Sequence, residues 1–258
     1  MPLTRIVTTS WDDGDPWDIK VAALLRDRGL AGTFYVPCAG PNNRPVIGAH
    51  DLRALRSEGF EIGAHGTSHR TLRQLSDHDL AREVRVCRMQ LEDTLGEKVR
   101  MFCYPKGQHD ARVIREVKRA GYEGARTTEM LGFGRAANPY KMSTTVHAFA
   151  HTKVAYLKNM MRARHFRRAI GWALHSSNAN SWIELAKSTF DQSMQHGGVW
   201  HLYGHSWAIE KHNLWDNLIE VLDYVARREV VTYVTNCDTL CVSPDRGSKL
   251  ATNRQASE

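Results

Sequence analysis

Short β-like runs alternate with helical stretches along nearly the whole chain, and this alternation restricts the fold more than any other feature. IVTTSW (Ile6 to Trp11), GTFYVP, FEIGAH, VRMFCYP, YEGART, STTVHAF, VWHLYGH and VVTYVTN read as strands. Between them lie helical stripes. Trp17, Val21, Leu24 and Leu25 share one face, and a short helix over Asp51 to Glu58 is closed by Gly59. Ser76 and Asp79 form a capping box ahead of Leu80, Val84, Cys87, Leu91 and Leu95. Further helices are expected over Ala111 to Ala120, near Val154 to Ala173, over Ser181 to Gln195, and through Leu214, Leu218, Val221, Leu222 and Val225. LGFGRAANPYK reads as a loop. Seven or eight βα units without linker or repeat predict an α/β fold, a distorted TIM-like barrel of seven or eight parallel strands. Residues 1–242 are expected to form that one barrel domain, with 243–258 a polar, disordered tail. The chemistry of such a barrel belongs at the C-terminal ends of its strands.

Composition narrows the function classes. No apolar run reaches the roughly 18–20 residues that span a bilayer, and MPLTRIVTTSWDDG lacks the apolar core of a signal peptide, so a cytoplasmic location is expected. The five cysteines are scattered without C-x-x-C spacing, which argues against a disulfide framework or a thiolate zinc cluster. The formal charge of +7 favours an anionic partner: a nucleotide- or lipid-linked sugar, an anionic membrane face, or nucleic acid. The densest basic cluster, Arg162, Arg164, Arg167 and Arg168, reads as a solvated helix face. There is no helix-turn-helix or finger pattern, so nucleic acid is not the expected partner.

Three strands end in unusual polar residues. The first ends in Asp12-Asp13-Gly14, where adjacent carboxylates repel unless a cation or similar feature compensates. The third runs into His65-Gly66-Thr67-Ser68-His69. Histidines at i and i+4 meet if the segment turns helically, and imidazoles suit zinc and its neighbours. Two histidines with one aspartate leave coordination positions open for water and substrate, as a catalytic site requires.

These motifs resemble, in order, those of the polysaccharide-deacetylase family, also called the NodB-homology domain or carbohydrate esterase family 4. The resemblance runs over roughly residues 5 to 240. TSWDDG is similar to the family's T-F-D-D-G, which implies that Asp12 is the general base and Asp13 a metal ligand. HGTSH is similar to H-S/T-x-x-H, which implies that His65 and His69 complete the metal site; Gly66 stands where a hydroxyl residue usually braces that loop. Cys103-Tyr104-Pro105-Lys106-Gly107 is similar to R-x-P-Y/F-G, placing Tyr104 and Pro105 at the substrate and the Lys106 backbone N–H at the oxyanion. Cys103 occupies the place of the arginine that braces the base. Arg126, at the end of the next strand, is the expected replacement. VWHLYGHSW is similar to the last motif, a strand ending L-x-H. Its strand-end histidine, His205, is the expected general acid, with His201 on the same face as the alternative, and Trp207 is expected to wall the pocket.

The resemblance implies a hydrolase that uses one divalent ion (zinc, or else cobalt, nickel or manganese) to remove an N-acetyl group from an acetamido sugar. The substrate would be nucleotide-linked, lipid-linked or an oligosaccharide, as in O-antigen or capsule biosynthesis. Two alternatives stand beside it. One is a cyclic-amide hydrolase of the same fold, allantoinase-like. The other is a basic anion- or nucleic-acid-binding module on an inactive deacetylase fold.

Overall fold

A computed structural model describes residues 3–151 and 181–241. The expected helices near 154–173, the Arg162 to Arg168 cluster and the tail after 243 lie outside the described residues. In chain order the elements are β1 (Arg5–Asp12), α1 (Asp18–Arg26), β2 (Gly32–Val36), α2 (Ala49–Ser57), β3 (Glu61–Ala64), α3 (Asp77–Leu95), β4 (Met101–Cys103) and α4 (Ala111–Arg119). They continue with β5 (Gly124–Arg126), β6 (Val146–His147), α5 (Trp182–His196), β7 (Gly198–Gly204), α6 (Ser206–Lys211), α7 (Trp215–Val225), β8 (Thr232–Tyr233) and α8 (Asp238–Cys241).

Every strand pairing is parallel, in the order β5-β4-β3-β2-β1-β7-β6. From Arg5 to Trp11, β1 lies along β7 on one edge; its other edge is shared by β8 near Ile6 and Val7 and by β2 from Thr9 onward. The result is a curled α/β half-barrel whose sheet ends at β5 and β6. The chain between those ends bridges the gap with Thr127 N–H to Met142 O at 2.8 Å and Leu131 N–H to Thr145 O at 3.0 Å.

The alternation of β1 decides what faces inward. Val7 and Trp11 join the main apolar cluster with Leu25, Phe34, Leu218 and Leu222. On the opposite face Thr8, Ser10 and Asp12 point into the barrel, where they meet Asn236, His201 and Arg126. The interior is therefore polar and hydrogen-bonded rather than oily, and each of these groups is buried.

The helix signals act as read. Ser76 Oγ accepts from Asp79 N–H at 3.1 Å, and α3 closes on Gly96 in the left-handed region at φ +71°, which glycine adopts without steric cost. Three elements differ from expectation. VVTYVTN contributes only Thr232 and Tyr233 to the ladder, because Asn236 turns inward to bond the barrel interior. STTVHAF contributes only Val146 and His147, since Thr144 and Thr145 bond the 129–132 loop. The six-residue α6 is too short to show an apolar period and was unmarked in the sequence.

Candidate active site

A cavity of about 320 Å³ opens at the C-terminal ends of the strands, lined by Asp12, His65, His69, Lys106, Thr128, Met130, His147, His151, Tyr203 and His205. A larger one, about 540 Å³, lies at the other end beside Glu123 and Val199, where β5 and β7 begin, and gathers no comparable set of titratable groups.

Asp12 is the last residue of β1 and is almost fully buried. Its Oδ1 accepts from Arg126 Nη2; Arg126 itself is completely buried at the end of β5. On a flat sheet the four interstrand steps from β1 to β5 would hold these residues about 19 Å apart. The curl of the sheet brings them into contact. Burial alone would push the Asp12 carboxyl up, but the charge and hydrogen bond of Arg126, with His65 and His205 nearby, together outweigh it and hold the group well below the usual carboxylate range. The contact is single-pronged rather than the two-pronged one expected of arginine, because Nη1 donates to Thr127 O at 3.1 Å. The guanidinium is flanked by the rings of Tyr203 at 5.0 Å and Tyr35 at 5.2 Å. Cys103 is the register partner of Arg126 on β4, and its Sγ lies 3.8 Å from Asp12 Oδ2.

Asp13 breaks the strand at φ +79°, which turns its carboxylate away from that of Asp12 toward His65 and His69. Asp13 Oδ1 lies 3.4 Å from His69 Nε2 and 3.7 Å from His65 Nε2. It is buried without a hydrogen-bond partner. His65 Nδ1 lies 2.9 Å from Cys103 O, so that nitrogen donates and the Nε2 lone pair faces Asp13. Burial and the neighbouring His65 lower the His69 pKa to about 4, which keeps its ring neutral. An orphaned carboxylate oxygen facing two imidazole nitrogens is a donor set suited to a divalent transition-metal cation. The residues present fit such a group.

The two histidines do not meet through a helical turn, as their spacing led us to expect. Gly66 at φ +82° and His69 at φ +54° fold the segment as a left-handed loop, with ring centroids 4.8 Å apart. The hydroxyl absent at Gly66 is replaced from elsewhere. Glu83 of α3 accepts from Ser68 N–H at 2.9 Å and from Ser68 Oγ, while its backbone carbonyl takes Thr67 N–H and Oγ1.

His205 follows β7 and presents Nε2 to Asp12 Oδ2 at 4.0 Å. Burial lowers its pKa. His201 lines no part of the cavity. Its Nδ1 donates to Ser143 O at 3.2 Å and its Nε2 accepts from Ser10 Oγ at 2.8 Å, which fixes a neutral ring inside the barrel. Lys106 does line the cavity, in a tight turn at φ +57° whose next residue, Gly107, donates to Tyr104 O at 2.8 Å. Tyr104 and Pro105 are buried and do not line it. Tyr104 Oη donates to Tyr140 O at 3.0 Å. Trp207 is not a cavity wall either: its Nε1 donates to Asp13 Oδ2 at 2.9 Å, and the Arg44 guanidinium lies 3.4 Å over its ring. Arg44 Nη1 also reaches 3.6 Å from Asp13 Oδ2.

Sequence reasoning missed Arg44, Glu83, His147 and His151. Arg44 sits in an irregular loop and left no signal. Glu83 was visible as a charge on the apolar face of α3, next to Val84. His147 and His151 repeat the i, i+4 spacing of His65 and His69.

Residues 2–125 match the family model described as polysaccharide deacetylase. An uncharacterized protein from Streptomyces coelicolor is 29% identical over 118 residues, 45% of this chain and 45% of that protein, so the chain spans less than half the length of this curated relative. Among solved structures, the Xyl-CE4 domain of a multidomain xylanase from the hindgut metagenome of Trinervitermes trinervoides superposes with a TM-score of 0.57 at 12% identity, covering 93% of each chain. A Bacillus anthracis pseudoenzyme of the same esterase family gives 0.55 at 13%, over 93% of this chain and 66% of that one. Streptococcus pyogenes deacetylase PplD, in complex with acetate, gives 0.51 at 18%, over 56% and 66%. At these identities the structural likeness speaks for the fold alone.

Proposed function

We propose, from the premise that this chain carries a polysaccharide-deacetylase domain of the NodB-homology type, that it is a metal-dependent hydrolase removing the N-acetyl group of an acetamido sugar. The observation that carries the reading is that one cavity is lined by an arginine-held carboxylate, a strand-end histidine and the two histidines that form a donor set with the buried Asp13 behind them. Asp13, His65 and His69 would hold the cation, with zinc the first expectation and cobalt, nickel or manganese compatible with the same donors. When bound, it would supply Lewis-acid polarisation of the acetyl carbonyl and acidify an attacking water.

The chain's own residues do the rest. Asp12 Oδ1 is occupied by Arg126, so Oδ2, which faces His205, is the oxygen that accepts the water proton. The Lys106 backbone N–H is assigned to the developing oxyanion. His205 Nε2 gives a proton to the departing amine. Trp207 and Arg44 hold Asp13 Oδ2, leaving Oδ1 for the cation. The basic balance of the chain supports an anionic, nucleotide- or lipid-linked substrate of surface-glycan synthesis.

The test is release of acetate from a panel of nucleotide-, lipid- and oligosaccharide-linked acetamido sugars, with allantoin as control, alongside elemental analysis. Close to one divalent ion per chain and acetate release blocked by chelation are expected. Protein that takes up no metal on titration, or cleaves only allantoin, would refute the reading.

A further inference from the structure

The chain on either side of His205 is fastened to one short stretch, residues 11–18, which also carries Asp12 and Asp13. Gly204, the register partner of Trp11, leaves no room for a side chain: a Cβ there would meet the Trp11 ring at 2.8 Å and Ala148 Cβ at 3.1 Å. Ser206 Oγ donates to Asp18 Oδ1 at 2.6 Å, and Trp207 Nε1 donates to Asp13 Oδ2 at 2.9 Å. Three of the four residues from Gly204 to Trp207 thus dock on the segment of the base. The fourth, His205, accepts from Ala208 N–H at 2.9 Å through its backbone oxygen, which begins α6. Its ring Nδ1 lies 3.2 Å from His147 Nε2, and its Nε2 lies 4.0 Å from Asp12 Oδ2.

Stability does not account for the Asp18 contact. The side chain is completely buried at the first residue of α1, and Oδ2 has no hydrogen-bond partner among the described residues. A carboxyl buried with half its bonds unmade costs stability. Burial, with Asp15, Asp13 and Asp12 nearby, pushes the group well above the usual carboxylate range, so it sits there as a neutral acid and not as a further charge beside the metal ligands. Asp18 lines no part of the cavity and stands outside the Asp13/His65/His69 donor set. The start of α6 takes no side-chain cap, so the Ser206 hydroxyl is not spent on its own helix. What the buried carboxyl keeps is one bond, to the residue that follows His205.

Resting on the deacetylase reading, we propose that Asp18 is a positioning residue: through Ser206 it fixes the backbone of His205, and with it the point where Nε2 meets the leaving amine nitrogen. Proton transfer needs that nitrogen within hydrogen-bond reach of Nε2 while Asp12 Oδ2 reaches the attacking water. The two ends of the reaction therefore depend on how the end of β7 is spaced from the end of β1. Without the Ser206 bond, the start of α6 hangs on Trp207 alone. The acid is then misplaced while Asp12, Arg126 and the cation's ligands stay where they are. The loss falls on the chemical step and not on binding.

The test is a double-mutant cycle between residue 206 and the acid, read on the zinc-loaded full chain by acetate release from the acetamido sugar that the wild type cleaves fastest. Ser206→Ala should lower kcat on the order of 10- to 100-fold with KM and zinc content unchanged. On a His205→Ala background the same substitution should cost less than about twofold, because no acid is left to misplace. Asp18→Asn, whose amide oxygen still accepts from Ser206 Oγ, should stay near wild-type turnover, whereas Asp18→Ala should match Ser206→Ala. Should Asp18→Ala fail to fold, Ser206→Ala and Asp18→Asn decide alone. Wild-type turnover in Ser206→Ala, zinc lost from it, its loss repeated in full on the His205→Ala background, or an Asp18→Asn as impaired as Ser206→Ala would overturn the coupling. A wild type that releases acetate from no acetamido sugar overturns the deacetylase reading and this role with it. That outcome is distinct from failure of the coupling alone, in which the wild type and Ser206→Ala turn over equally.

Discussion

Asp12 and Asp13 are neighbours in sequence with opposite surroundings. One is gripped by a buried guanidinium; the other has an oxygen left without any donor. The difference comes from the positive φ of Asp13, which sends the second carboxylate to the histidines. Asp12→Asn should therefore abolish turnover while metal content stays near one per chain, whereas Asp13→Ala should lose both, as read by elemental analysis beside an acetate assay. Metal lost from the first variant and kept by the second would reverse the assignments. His205→Ala should cost about 10²–10⁴-fold in turnover with metal retained. The residues of the D-D-G and H-x-x-x-H segments were legible because each group is local, a few positions at a strand end. Arg44 and Glu83 were not, because they reach the site from a loop and a helix whose own patterns say nothing about metal. Tyr104 and Trp207 spend their polar atoms on Tyr140 and Asp13, contacts that aromatic character in a sequence does not announce.

At the scale of elements, the departure from the family pattern becomes a register relation. Cys103 and Arg126 are directly opposite one another across the β4–β5 ladder, so the arginine expected at one position stands one strand over at the same height. The double variant Cys103→Arg/Arg126→Ala should then recover turnover that Arg126→Ala alone loses. Recovery to less than a tenth of wild type would show that the position, and not merely the charge, is required. The βα alternation could be read from the sequence because each strand is a distinct apolar run; the ladder lengths of β6 and β8 could not, because the backbone of the 129–132 loop captures Thr144 and Thr145 and Thr33 captures Asn236. β3 carries a second consequence. Burial pushes the Glu61 carboxyl up to about 7, although its Oε2 accepts from Thr33 Oγ1 at 2.7 Å and Cys237 N–H at 3.0 Å. The folded state then holds a proton that the unfolded chain releases near 4.5, so stability declines as pH rises from there through about 7. Glu61→Gln keeps both accepting contacts through its amide oxygen and should remove this decline. Urea melts of both proteins across that range will show it, and parallel pH dependence in the two would refute the assignment.

For the molecule as a whole, the fold class was accessible from alternation alone, and no helix among the described residues is long and apolar enough to cross a membrane. Whole-chain substrate identity was not accessible, since the family match stops at residue 125 and the sequence has no local code for which sugar enters a cavity. A cation bound only by the folded chain should raise the urea midpoint, by about 2.7 kcal/mol of stability at a hundredfold excess over its dissociation constant. The link between Asp12 and Arg126 has a mechanical meaning. It ties an interior strand of the sheet to its outer strand across the hollow, as a chord spans a bow. Any flattening of the arc lengthens that chord long before it separates hydrogen-bonded neighbours. Turnover is then a gauge of curvature, and in rising urea it should vanish while the far-ultraviolet signal of the helices is still intact.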